Sequence, residues 1–166
     1  SDFFEDYFRR HGVNIRYHAR TVALHGDGKV EAVRLESGDT VPADFAVAGI
    51  GVEPVVELYR NTRVQLEDNG VVVNEFLETH APDVYAAGDI TAFIDPVEGS
   101  RRRVEHWDNA AEQGRCAARN MMELETPFDH VAYFFSDVFD LSWEFWGDTR
   151  DADTVVYRGD VAAGAF

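Results

Sequence analysis

Residues 79–89 constrain this chain more than any other stretch: Thr-His-Ala-Pro-Asp-Val-Tyr-Ala-Ala-Gly-Asp. The apolar run 84–87 reads as a short buried strand, and Gly88-Asp89 ends it with a turn. In an open α/β sheet, ligands bind outside the carboxyl ends of strands. A glycine there lets backbone approach a ligand closely, and the carboxylate that follows accepts hydrogen bonds from sugar-like hydroxyls. Gly-Asp alone is also an ordinary turn, so its meaning depends on the surrounding chain.

Upstream, Phe3, Phe4, Tyr7, Phe8 and His11 recur at helical spacing, with Ser1 as a cap and Gly12 as the stop. Val13, Ile15, Tyr17 and Ala19 then alternate with polar residues, which predicts a strand. Residues 21–25 and 29–35 flank Gly26-Asp27-Gly28, a hairpin signal, and Ser37-Gly38-Asp39 makes a second turn. Residues 45–48 read as a short buried strand. The string GIGVEP at 49–54 lacks the G-x-G-x-x-G spacing of a phosphate loop and reads as a crossing between domains. A short helix is expected over 56–60, a strand over 70–73 and a loop over 94–100. Arg101, Arg102 and Arg103 form the only basic cluster, read as a solvated loop.

Residues 104–124 carry a helical pattern in which Ala110, Ala111, Gly114, Ala117, Ala118, Met121 and Leu124 share one side. That side is the expected packing face, which leaves Glu112, Cys116, Arg119, Asn120 and Glu123 on the polar face. Asp108 suits the helix start. From Pro127 the composition changes: Tyr133-Phe134-Phe135-Ser136-Asp137, then Phe139, Leu141, Trp143, Phe145 and Trp146, give an aromatic, alternating, strand-like pattern, and 155–157 reads as a further strand.

The formal net charge is −16, from 31 acidic against 15 basic residues. Such a surface repels nucleic acid and anionic membrane. It is either an ordinary solvated acidic face or a mark of salt adaptation. Cys116 is the only cysteine, which excludes an internal disulfide and a Cys-x-x-Cys pair. A reducing cytoplasm is the simple reading. No apolar run reaches transmembrane length, and the chain opens at Ser1 without a signal-like segment. It is expected to be an excised piece of a longer protein.

Four strings occur in order: GIGVEP (49–54), T-x-x-P-x-VYAAGD (79–89), VEHWDNA (104–110) with its small-residue helix, and YFFSDVFDLSWEFWGD (133–148). The ordered set resembles the FAD-dependent pyridine nucleotide-disulfide oxidoreductase superfamily, ferredoxin and rubredoxin reductase type. Val55 departs from the asparagine usual after the proline. The resemblance implies an α/β fold: the returning part of a Rossmann-type FAD/NAD(P)-binding three-layer fold, plus the start of an α+β carboxyl-terminal domain. Residues 1–49 would end the NAD(P)-binding domain, 50–127 would be the returning FAD segment, and 128–166 would begin the interface domain.

By the same resemblance, Asp89 would hydrogen-bond the FAD ribityl chain, with Gly88 permitting the approach. The helix starting near Trp107 would aim its amino end at the flavin, with Ala110 in its first turn. Trp107 would sit beside the flavin or simply shield the helix start. Glu105 and His106 would line the nicotinamide site or cap the loop. No side chain is assigned as catalytic, because hydride transfer to flavin needs no side-chain acid or base at the reacting carbon. The cofactors implied are FAD and NAD(P)H in a longer parent, and this chain alone is expected not to retain them, since neither phosphate loop is present. No metal is implied. The implied partner is a small iron–sulfur or rubredoxin electron carrier, with the three arginines as its docking charge, and a homodimer is compatible. Two alternatives stand beside this reading. One is a dithiol reductase of the same superfamily, although its His-Pro-Thr signature is missing here. The other is a non-enzymatic binding or oligomerisation module.

Overall fold

The computed structural model describes residues 2–149, 152–160 and 163. The chain forms two compact units, one of Ser1–Gly51 with Thr154–Phe166 and one of Val52–Asp153. In the first, helix α1 (Asp2–Arg10) carries an Arg9–Glu5 ion pair one turn apart and stacks Phe3 on Tyr7. Strands β1 (Thr21–His25), β2 (Ala32–Leu35) and β3 (Thr40–Pro42) form an antiparallel meander. Gly26 makes the first hairpin feasible: a Cβ there would lie 1.7 Å from the Lys29 carbonyl oxygen.

Three expected strands are not formed. Residues 13–20 and 45–48 lack ladder pairing, as does 155–157. The run 45–48 is not buried either, with Phe45 77% and Val47 87% exposed. An apolar run becomes a strand only when neighbours take its N–H and C=O groups. Among the described residues none takes those of 45–48.

In the second unit, β4 (Leu66–Glu67), β5 (Gly70–Val72), β6 (Thr91–Ile94) and β7 (Arg101–Arg102) lie side by side in that order. The β5–β6 pair is parallel, and the flanking pairs are antiparallel. The expected short helix over 56–60 is a single 3-10 turn, Glu57–Tyr59. The aromatic alternation forms the hairpin β8 (Tyr133–Val138) and β9 (Leu141–Trp146), paired along its full length. Val71, Val73, Leu77, Phe93, Val104, Phe128 and Ala132 build the core together with the inner face of helix α2 (Trp107–Asn120). No helix among the described residues is long and apolar enough to cross a membrane.

The central stretch departs from expectation. Residues 84–87 are not a strand: Tyr85 makes one isolated bridge to Glu78, and Ala86 N–H bonds the Leu77 carbonyl. The sheet strand comes after the Gly88-Asp89 turn rather than before it. Thr91, Ala92 and Phe93 are all buried, as a parallel strand covered on both faces must be.

The face of α2 also differs. Asn109, Gln113, Cys116, Ala117 and Asn120 point inward, while Gly114 and Ala118 are exposed. Met121 and Leu124 lie beyond the helix end and are exposed too. Amides can be buried when backbone groups take up their hydrogen bonds. Asn120 Nδ2 donates to the Phe76 and Thr126 carbonyls, both at 2.8 Å, and its Oδ1 accepts from Thr126 N–H at 2.6 Å.

The arginine cluster is not a solvated loop. Arg101 donates to the Val73 and Ala92 carbonyls, at 3.1 and 2.6 Å. Arg102 pairs with Asp95 at 2.6 Å and with Asp148, and Arg103 pairs with Glu105 at 2.7 Å. Arg101 also faces Glu67 at 3.6 Å, so each of the three guanidinium groups has an acidic partner within the fold.

Candidate cofactor site

The site is built where the connection into β6 meets the start of α2. Gly88 is buried with φ +86°, a left-handed conformation that a side chain would strain. Space is not the constraint, because an added Cβ would only touch the Ala110 Cβ at 3.4 Å. Ala110, in the first turn of α2, therefore backs the turn directly. One helical turn further, Gln113 Oε1 accepts the Gly88 N–H at 2.8 Å. On the other side, Arg103 Nη1 donates to the Asp89 carbonyl at 2.6 Å while Nη2 holds Glu105. The Asp89 side chain is exposed and makes no hydrogen bond or ion pair with any described residue. Its carboxylate is available to a ligand.

Helix α2 begins at Trp107 with His106 as an extended N-cap that gives no side-chain hydrogen bond. The first-turn N–H groups thus keep their partial positive charge. Asp108 in this turn pairs with His130 at 2.5 Å. The His106 ring packs 4.8 Å from Phe134, and its buried Nδ1 has no partner. A cleft of about 500 Å³ opens here, lined by Glu105, His106, Trp107, Asp108 and the aromatic residues 133–135. Trp107 stands 79% exposed at it.

The structure thus brings Gly88 against Ala110, and gathers Glu105, His106 and Trp107 around one cleft. Asp89 lines neither this cleft nor its neighbour, and it meets Glu105 only through Arg103. Cys116 is on the buried face, where it donates to the Thr126 carbonyl at 3.2 Å, and burial pushes its thiol up. Sequence reasoning missed Gln113 and Thr91, and named Arg103 only as part of the basic cluster rather than as a brace on the Asp89 carbonyl. The signal for Gln113 was a charge-free arc on α2, in which Asn109, Gln113, Cys116, Ala117 and Asn120 carry no formal charge.

Residues 1–114 match the family described as pyridine nucleotide-disulphide oxidoreductase. The chain belongs to that family. Within the pyridine nucleotide-disulphide oxidoreductases it is of ferredoxin reductase type and has the FAD/NAD-binding α/β fold. It is 35% identical to rhodocoxin reductase of Rhodococcus erythropolis over all of this chain and 39% of that protein. It is likewise 35% identical to a monodehydroascorbate reductase of Solanum lycopersicum, over 93% of this chain and 37% of the relative. The covalent putidaredoxin reductase–putidaredoxin complex superposes with a TM-score of 0.86 at 33% identity, over 97% of this chain and 39% of the other. The chain therefore spans about two fifths of these pyridine nucleotide-disulphide oxidoreductases, a family dependent on FAD and NAD(P)H.

Proposed function

We propose that this chain is part of a flavoprotein reductase passing electrons from NAD(P)H, through FAD, to a small iron–sulfur or rubredoxin-like carrier. The observation that carries the reading is the unengaged Asp89 carboxylate, on a glycine turn braced against the uncapped start of α2. These residues fit a flavin nucleotide. Asp89 would accept hydrogen bonds from its ribityl chain. The amino end of α2 would favour negative charge on the flavin ring, worth roughly 0.3–1 kcal/mol in the usual case. Glu105, His106, Trp107 and Ala110 complete the proposed contacts. FAD, when bound, supplies the ability to accept electrons as a pair and release them singly. The protein's part is to bind, orient and polarise it.

On this reading 1–49 belong to the NAD(P)-binding domain, 50–127 to the FAD-binding domain and 128–166 to the interface domain. The carrier as partner is supported by the putidaredoxin complex among the similar structures. Nothing in the reading requires a homodimer. A reducing cytoplasm remains the simple reading for a chain with a single cysteine, which is unbridged and buried.

The test uses the full-length parent with NAD(P)H. Cytochrome c reduction should require added ferredoxin or rubredoxin and should survive thiol alkylation. Loss of activity on alkylation would place the parent among dithiol reductases. Direct reduction of monodehydroascorbate with no carrier would instead favour a small-molecule electron acceptor, a reading motivated by the Solanum lycopersicum relative.

A further inference from the structure

Gln113 lies in the second turn of α2 with no exposed surface. Burying an amide is unfavourable unless its polar atoms are paired. Its Oε1 is paired twice, accepting the Gly88 N–H at 2.8 Å and facing the Thr91 hydroxyl at 2.6 Å. Those two partners flank Asp89 in the chain. The Thr91 hydroxyl is also 2.7 Å from the Gly88 carbonyl, so its single proton serves one acceptor at a time. Thr91 N–H takes the same carbonyl at 2.9 Å. The Gly88 peptide is thus held on its N–H side by the helix and on its C=O side by Thr91.

Two observations separate this from ordinary packing. Gln113 Nε2 is buried without a partner, a cost that leucine or methionine in the same volume would avoid. The residues just before the turn, 86–87, also belong to no strand, so no sheet ladder fixes the turn from that side. Gln113, Thr91 and the Arg103 contact to the Asp89 carbonyl hold the turn itself, between the backbone bonds of Ala86 N–H to the Leu77 carbonyl and of Val71 N–H to the Ile90 carbonyl.

We propose that Gln113 is the positioning residue of the cofactor site. It ties the Gly88-Asp89 turn to the helix whose amino end faces the flavin, so that the carboxylate and the helix dipole are presented as one rigid unit. Gln113 acts through Gly88 and Asp89. The inference rests on Asp89 being the flavin contact proposed above.

The experiment is a double-mutant cycle on FAD affinity in the full-length flavoprotein. Gln113→Met keeps the volume and removes the acceptor, and should weaken FAD by about tenfold. Gln113→Glu keeps an accepting oxygen at the cost of burying a carboxyl group, and should recover part of the affinity lost in Gln113→Met. Gln113→Met combined with Asp89→Ala should bind no more weakly than Asp89→Ala alone, within about twofold, because the amide works through that carboxylate. Additive losses would show a merely structural residue and overturn the proposal. So would an effect of Asp89→Ala with none from Gln113→Met. If Asp89→Ala itself changes nothing, the reading beneath the proposal falls with it. Should Gln113→Met fail to fold, Thr91→Val opens the same grip from the other side. Its non-additivity with Asp89→Ala, with rescue in Gln113→Glu, then decides in the same way.

Discussion

Replacing Arg102 with alanine is expected to destabilise the Val52–Asp153 unit by about 3–5 kcal/mol. Arg102 and Asp95 are 10% and 4% exposed at their side chains and meet at 2.6 Å, with Glu98 at 3.8 Å and Asp148 also paired to the guanidinium. Asp95 further accepts the N–H groups of Val97 and Glu98, at 2.8 and 3.0 Å, which shapes the turn between β6 and β7. Removing the cation leaves a buried carboxylate among like charges, and that desolvation cost is what makes one-sided removal severe. The unpaired Arg102 Nε lowers the net worth of the cluster but does not change the direction. The comparison is Arg20→Ala, which breaks a pair to Glu36 whose side chains are 77% and 62% exposed. Solvent screening should hold that change below about 1 kcal/mol. Urea midpoints of the two variants should therefore differ widely. Similar midpoints would remove Arg102 from its structural role.

The same cluster shows where sequence reading stops. Three adjacent arginines in a Pro- and Gly-bearing stretch look solvated, because part of what engages them is remote: Asp148 lies 46 residues from Arg102, and the Val73 carbonyl 28 residues from Arg101. Alternation sufficed for β8 and β9, since a hairpin pairs with its own neighbour and each strand needs only one inward face. Alternation failed at 13–19, as did the strands read at 45–48 and 155–157, where strand formation would depend on partners the local pattern cannot supply. Helix α2 was legible as a helix, yet its inner face was not. An apolar wheel ranks Gly114 and Ala118 above Gln113 and Asn120, and it cannot see backbone groups waiting to bond the amides. For the site, the motif gave Gly88 and Asp89, while the contacts that hold them came only with the fold.

The central claim is that the Gly88-Asp89 turn holds the cofactor, and Asp89→Ala in the full-length parent tests it most directly. The side chain is exposed and bonded to no described residue, so its removal should leave the stability of the cofactor-free protein unchanged. A hydrogen bond to a charged acceptor contributes roughly 1.5–3 kcal/mol, so FAD affinity should fall about ten- to a hundredfold. Asp89→Asn keeps an accepting oxygen without the charge and should fall between the two. The measurement is the flavin retained by each protein after exhaustive dialysis, with the dissociation constant from fluorescence titration of the stripped protein. The account predicts bleached Asp89→Ala protein of normal melting temperature. Full flavin content and an unchanged dissociation constant would contradict it.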